Sequence, residues 1–206
     1  MGRVGKTTLA QVVYNDDMVK EYFDLKVWVC VTQEFDVSGM RRTIIEAIPL
    51  TCDASDLNHQ QIKLKEFLSN KRFLIVLDDV WNENYIVWEI LRRPFEYGAQ
   101  GSKIIVTTRS EIVASTMLTV PIYHLKLLSD DDCWLLFAEH AFEGIELDTF
   151  AKLRDTGRNI VKKCSGLPLT AKALRGLLRS KRDESEWEKV LKSDIWDFPD
   201  ARKLSI

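Results

Sequence analysis

Gly5-Lys6-Thr7 stands at the head of the chain, followed by Thr8 and a stretch with helical character. This trio matches the second half of the phosphate-binding loop G-x-x-x-x-G-K-[ST]. In such a loop, successive backbone N–H groups wrap phosphates and the helix N-terminus adds partial positive charge. Glycine lets the backbone approach without a Cβ clash. Lys6 would reach the β- and γ-phosphates, and Thr7 would place its hydroxyl on Mg²⁺. Thr8 is placed to touch the α-phosphate. A bare Gly-Lys-Thr also arises by chance, so the reading needs a second site.

The second site is a pair of carboxylates. Phe73-Leu74-Ile75-Val76-Leu77 is an unbroken apolar run that ends in Asp78-Asp79. Strand-end carboxylates in a parallel sheet point to the edge where ligands bind. Asp78 would hold Mg²⁺, directly or through water, and Asp79 would orient or deprotonate an attacking water. The alternative for the pair is a helix cap or turn. Arg109 is the third part. It follows Ile104-Ile105-Val106-Thr107-Thr108, so it leaves a strand at the same edge. A guanidinium there can contact a γ-phosphate and tell triphosphate from diphosphate. The alternative is an ordinary surface arginine.

Elements that could position these groups follow from the apolar period. Val27-Trp28-Val29-Cys30-Val31, the 73–77 run and Ile104-Ile105-Val106 read as strands buried on both faces. Ile122-Tyr123-His124-Leu125, after Pro121, is a weaker fourth strand. Between them, residues 38–48 set Met40, Ile44, Ile45 and Ile48 on one side. Residues 59–70 do so with Ile62, Leu64, Phe67 and Leu68. Strands alternating with helices imply βαβ units and a parallel sheet. From residue 126 to about 193 only helical patterns occur. Ser129 with Asp130, Asp131 and Asp132 opens a helix through Trp134, Leu135, Phe137 and Ala138. A helix over 148–164 follows, with Phe150, Leu153, Ile160 and Val161 facing one way. Gly166 stops it. Pro168 starts the next, through Leu174, Leu177 and Leu178. A last one holds Trp187, Val190 and Leu191. The fold class is therefore an α/β domain over 1–125 and a small helical bundle over 126–193, with 194–206 as the start of a linker.

Composition excludes several classes. The 206 residues are 46% hydrophobic and 29% charged, with a formal net charge of −2. That balance removes collagen-like and disordered readings. It also lacks the basic excess of a dedicated nucleic-acid or membrane-surface binder. No apolar run approaches the roughly 18 residues of a transmembrane helix, and no apolar h-region follows Met1. The four cysteines, Cys30, Cys52, Cys133 and Cys164, form no CxxC pair and read as reduced core thiols of a cytosolic protein. His59, His124 and His140 have no ligand spacing and default to surface or packing roles. The six tryptophans read as core packing rather than base stacking, since no basic patches interleave them. Arg175, Arg179, Lys181 and Arg182 read as solvated cations ending a helix.

Taken in order, these blocks resemble one family. They are Gly2-Arg3-Val4-Gly5-Lys6-Thr7-Thr8, Phe23-Asp24-Leu25-Lys26-Val27-Trp28-Val29-Cys30-Val31 and Leu77-Asp78-Asp79-Val80-Trp81. Then come Gly101-Ser102-Lys103-Ile104-Ile105-Val106-Thr107-Thr108-Arg109 and Gly166-Leu167-Pro168-Leu169. The set resembles the nucleotide-binding (NB-ARC) module of plant NLR disease-resistance proteins, a branch of the STAND ATPases. Trp81 after the acids resembles the coiled-coil rather than the TIR class. The resemblance implies a P-loop NTPase sheet and a helical ARC subdomain. It implies ATP or ADP with Mg²⁺, held by Gly2, Val4, Gly5, Lys6, Thr7 and Thr8, with Pro168 on the adenine side. It implies a cytoplasmic immune-receptor switch, closed with ADP and opened to oligomerise by exchange for ATP, with slow hydrolysis at most. Its partners would be the coiled-coil, second ARC and leucine-rich-repeat domains of a longer parent.

Departures from the family pattern set further expectations. The loop's first glycine would stand one residue before Met1, so the strand leading into it lies outside the chain. In a doubly wound sheet that strand is central, and its loss predicts a strand-wide gap with unpaired backbone groups. Arg3 stands where the family mostly has glycine. If that position needs positive φ, Arg3 costs about 1 kcal/mol; otherwise it adds charge near the phosphates. Two other function classes remain open at this point. One is an inactive resistance-gene-analogue fragment that binds no nucleotide. The other is a different P-loop enzyme, such as a small-molecule kinase, against which the Gly166–Leu169 block argues.

Overall fold

A computed structural model describes residues 2, 4–31, 37–46, 57–144 and 147–193. The elements run α1 (Lys6–Asn15), α2 (Asp17–Tyr22), β1 (Leu25–Cys30), α3 (Val37–Glu46), α4 (Leu57–Leu68) and β2 (Phe73–Val80). Then come α5 (Tyr85–Arg92), a 3₁₀ turn (Arg93–Tyr97), β3 (Lys103–Thr108) and α6 (Glu111–Thr116). The last elements among the described residues are α7 (Asp130–Ala141), α8 (Leu147–Lys163), α9 (Pro168–Leu178) and α10 (Glu184–Lys192). Two compact units result. Among the described residues, one unit falls within Lys6–Tyr123, and the other gathers Gly2, Val4 and Gly5 with those from His124 to Ser193.

In the first unit, three parallel strands lie in the order β1-β2-β3. Leu25 to Cys30 pair with Phe73 to Asp78 in unbroken register. The central strand is buried on both faces, as its continuous apolar run predicts. Phe73, Ile75 and Leu77 face a cluster with Val27, Val29, Met40, Ile44, Leu64, Leu68 and Trp88. Leu74 and Val76 face Ala10, with Tyr14, Trp28 and Ile105 packed alongside. This alternation follows from the two-residue period of a strand. Local caps set the helix starts: Asp16, Asn84 and Ser110 each accept a backbone N–H of the following turn.

Several expectations need correction here. No strand-wide gap separates β2 from its neighbours, because β2 and β3 pair directly from Leu74↔Lys103 to Leu77↔Val106. Direct pairing satisfies the backbone groups that a gap would strand. Ile122–Leu125 is irregular rather than a strand, and Tyr123 is 81% exposed. Pro121 supplies no N–H for a ladder at its entrance. Ile62 faces outward from α4 while Leu64 and Leu68, four residues apart, are buried. Cys30 is exposed, because it stands at the open C-terminal end of β1. Ile48, Cys52, Arg3, Trp196 and the 194–206 segment lie outside the described residues.

The second unit is helical. Ser129 Oγ accepts the Asp132 N–H at 3.1 Å and donates to Asp132 Oδ2 at 2.7 Å, a reciprocal cap of α7. Its core holds Phe137, Leu153, Ile160, Val161, Ala171, Leu174, Leu178 and Trp187. The Trp187 ring meets Phe137 edge-on at 5.8 Å, and its Nε1 donates to the Lys181 carbonyl at 3.1 Å. Gly157 lets α8 close on two indoles, since a Cβ there would lie 3.1 Å from both Trp134 and Trp187. Leu135 (66% exposed) and Leu177 point outward, because α7 and α9 pack through Trp134, Phe137, Ala171, Leu174 and Leu178. Burial raises the thiol of Cys133 and pushes that of Cys164 up to about 12, so both are inert core groups. The 175–182 cations are spoken for locally: Arg179 pairs with Glu143 at 2.9 Å and Lys181 with Glu186 at 2.6 Å. No helix among the described residues is long and apolar enough to cross a membrane.

Candidate functional site

The three strands are parallel, so their C-terminal ends share one edge, and the start of α1 reaches that edge. Thr7 Oγ1 donates to Asp78 Oδ1 at 3.0 Å across the 71 residues that separate them in sequence. Asp78 is 6% exposed. A carboxylate this buried needs partners, and it has two hydroxyls. Thr107 Oγ1 also donates to Oδ1, at 2.5 Å. Oδ2 receives neither hydroxyl. Thr7 Oγ1 and the Asp78 carboxylate are the kind of hard oxygens Mg²⁺ takes beside phosphate and water. The donor set therefore fits that cation.

Asp79 adopts φ 57, a left-handed conformation that Asp tolerates better than most residues. The β2–β3 register shifts between Leu77 and Val80, where the chain kinks. Asp79 is the one residue of β2 that is not fully buried. Its N–H donates to Thr107 Oγ1 at 2.9 Å. Thr107 thus holds both acids at once, one through its proton and one through its lone pair. The neighbouring Thr108 Oγ1 donates to the Val80 carbonyl at 2.7 Å and accepts the Ser110 N–H at 3.0 Å, closing the turn that carries Arg109. Arg109 Nη2 lies 3.2 Å from Asp79 Oδ2, and its guanidinium carbon sits 4.6 Å from the centroid of the Trp81 ring.

Lys6 belongs to the same cluster of charges. Its pKa is lowered, first by burial and then by the Arg109 cation, with Asp79 and Asp78 pulling the other way. Gly5 immediately before it has φ +94, so the glycine of the motif is required by the backbone. Val4 is buried, Gly2 is half-buried, and Thr8 is exposed on the first turn of α1. The structure thus brings together Lys6, Thr7, Asp78, Asp79 and Arg109. Pro168 belongs to the second unit, as the first residue of α9 after a loop with Ser165 and Gly166 at positive φ.

Two residues of this arrangement lie within the motif blocks but receive no site role from them. Thr107 is a polar residue near the end of an apolar strand. Trp81 reads as core, yet it is 46% exposed over Arg109. Thr107→Val keeps the volume and deletes both bonds, leaving a buried carboxylate with one hydroxyl fewer. Urea unfolding should register a loss of about 1–3 kcal/mol, and Thr107→Ser should retain most of it. A valine variant as stable as wild type would show that the Thr107 bridge contributes nothing.

A family model for the NB-ARC domain matches residues 1–146. The chain is 48% identical over 202 residues to Putative disease resistance RPP13-like protein 1 of Arabidopsis thaliana, covering 97% of this chain and 19% of that protein. It is 47% identical over 202 residues to Disease resistance protein RGA2 of Solanum bulbocastanum, covering 97% and 21%. It is 30% identical over 217 residues to Disease resistance protein RPM1 of Arabidopsis thaliana, covering 100% and 23%. The chain thus spans about a fifth of the length of the curated relatives it matches. With the family model covering well over half of it, and a P-loop type of α/β sheet beneath, the chain belongs to the NB-ARC domain family.

Proposed function

We propose that the chain is the ATP/ADP-binding switch module of a plant intracellular immune receptor. The observation that carries this reading is the shared Oδ1 of Asp78. It joins the first turn of α1 to the ends of β2 and β3, so lysine, hydroxyl, carboxylate and guanidinium meet at one sheet edge. Residues 1–125 form the nucleotide-binding half, 126–193 the helical ARC half, and 194–206 lead toward a second ARC subdomain. The coiled-coil and leucine-rich-repeat domains of the parent protein are its partners, and a cytoplasmic location and oligomerisation on activation follow from that role.

Lys6 neutralises the β- and γ-phosphates, and the backbone of Gly2, Val4 and Gly5 wraps them. Thr8 contacts the α-phosphate, and Pro168 closes on the adenine. Thr7 and Asp78 hold Mg²⁺, which when bound supplies charge neutralisation between the phosphates. Arg109 senses the γ-phosphate. Asp79 is the group placed to orient water, but its carboxylate is engaged by Arg109 at 3.2 Å. That ion pair occupies Oδ2 of the carboxylate, which supports slow hydrolysis at most.

The test is a titration of the 206-residue chain with fluorescent ADP in Mg²⁺ and in EDTA. Saturable binding that weakens in EDTA is the expected result. Absence of saturable binding in Mg²⁺ would overturn the switch reading and favour an inactive module.

A further inference from the structure

The ring of Trp81 is unlike those of the buried Trp88, Trp134 and Trp187. It follows directly on Val80, at the end of β2, and nearly half of it faces solvent. Trp88 holds the turn below it, since its Nε1 donates to the Asn82 carbonyl at 2.6 Å. That anchor and the left-handed Asp79 bracket Trp81 on both sides, so its backbone is fixed while its ring is pushed outward. The ring meets one named cation, the Arg109 guanidinium, at 4.6 Å.

Arg109 is about as exposed as Asp79, and a free arginine side chain samples many rotamers. Two contacts restrict it here. Asp79 takes one N–H edge through Nη2, and the indole takes a face. A guanidinium carries five N–H donors in a rigid fork. The Asp79 contact uses one terminal nitrogen, Nη2, so the fork retains donors for an incoming oxyanion without breaking the ion pair.

From this geometry we propose that Trp81 is a positioning residue for Arg109. By stacking on the guanidinium it presets the γ-phosphate contact and so sets the preference for a nucleoside triphosphate over a diphosphate. The inference rests on the nucleotide reading above and adds to it a specificity role for a residue outside the phosphate-binding set. An exposed cation–π contact corresponds to about a 2–5-fold change in affinity, and only the ligand that reaches Arg109 should feel it.

The experiment compares wild type, Trp81→Ala and Trp81→Phe by calorimetric titration with Mg²⁺–ADP and with a non-hydrolysable Mg²⁺–ATP analogue. The expected result is a 2–5-fold weaker triphosphate affinity in Trp81→Ala, an unchanged ADP affinity, and partial recovery in Trp81→Phe. Unchanged affinity for both nucleotides, or equal loss for both, overturns the positioning role and leaves the nucleotide reading standing. Failure of wild type to bind ADP overturns the nucleotide reading and this inference with it. A second readout needs no nucleotide. The Arg109 Nε–H resonance should carry a ring-current shift that Trp81→Ala removes and Trp81→Phe keeps. A resonance insensitive to Trp81→Ala would overturn the stacking itself.

Discussion

Lys6→Ala is expected to weaken Mg²⁺–ADP binding by about 10–100-fold with the fold retained. Hydrogen bonds to charged groups contribute about 1.5–3 kcal/mol each, and 1.4 kcal/mol is tenfold in affinity. Lys6 is the first residue of α1 and half-buried, so alanine there costs the helix nothing. What the variant loses is charge at a point where burial and Arg109 already disfavour the ammonium. A phosphate relieves that disfavour, and the relief strengthens binding. The pH dependence has a definite sign. Because the pKa is lowered, the ammonium loses its proton at a lower pH than an ordinary lysine. ADP affinity should be full below that pKa and fall as pH rises through it, while Lys6→Ala shows no such decline. For the free protein the sign reverses. The unfolded chain binds more protons in the window between the lowered and the ordinary lysine pKa, so this group adds stability as pH rises across it. Parallel ADP titrations and circular dichroism would check the prediction. Equal affinity in both proteins would remove Lys6 from the site.

Gly166→Ala is expected to destabilise the helical unit by about 2–5 kcal/mol. Gly166 is buried with φ +73, next to Ser165 at φ 51. A Cβ added there would lie 2.6 Å from the Leu128 carbonyl oxygen and 2.8 Å from Leu127 Cβ. The backbone cannot yield easily, because Leu128 N–H donates to the Gly166 carbonyl at 2.9 Å. A left-handed alanine costs about 1–2 kcal/mol and overpacking about 1–3 more. In thermal unfolding this corresponds to a midpoint lower by roughly 5–15 °C. Gly176→Ala is the matched control. It sits inside α9, exposed, with nothing within 4 Å of its added Cβ. That change should stabilise by about 0.5–1 kcal/mol. If Gly166→Ala left the midpoint unchanged, the close approach to Leu128 would be refuted. The Gly166–Leu169 block therefore has a packing reason of its own, whatever Pro168 contacts.

Much of the architecture is legible in local pattern. The run from Phe73 to Leu77 reads as a doubly buried strand and is one. Ser129 reads as a helix cap and is one, and Gly166 then Pro168 read as a stop and restart, which they are. The misreadings share a cause. Ile62 fits the apolar period of α4 but not the narrower face that helix presents to its neighbours. Ile122–Leu125 has strand composition without a ladder. Cys30 and Trp81 sit at strand ends, where the apolar pattern continues but the cover of the sheet does not.

By itself, the sequence determined which chemistry was on offer: a glycine–lysine–threonine turn, two acids at a strand end, an arginine at another, and the alternation that makes their strands parallel. Period, caps and turn residues act over a few positions, so a single chain displays them. Only the tertiary structure decided that β2 and β3 pair directly, that Thr7 and Thr107 both bind Asp78 Oδ1, and that Arg109 rests between Asp79 and Trp81. Those partners are separated by 71, 29 and 30 residues along the chain. Which of them meet depends on the packing of the sheet, because a hydroxyl or a guanidinium carries no local mark of the oxygen it will find.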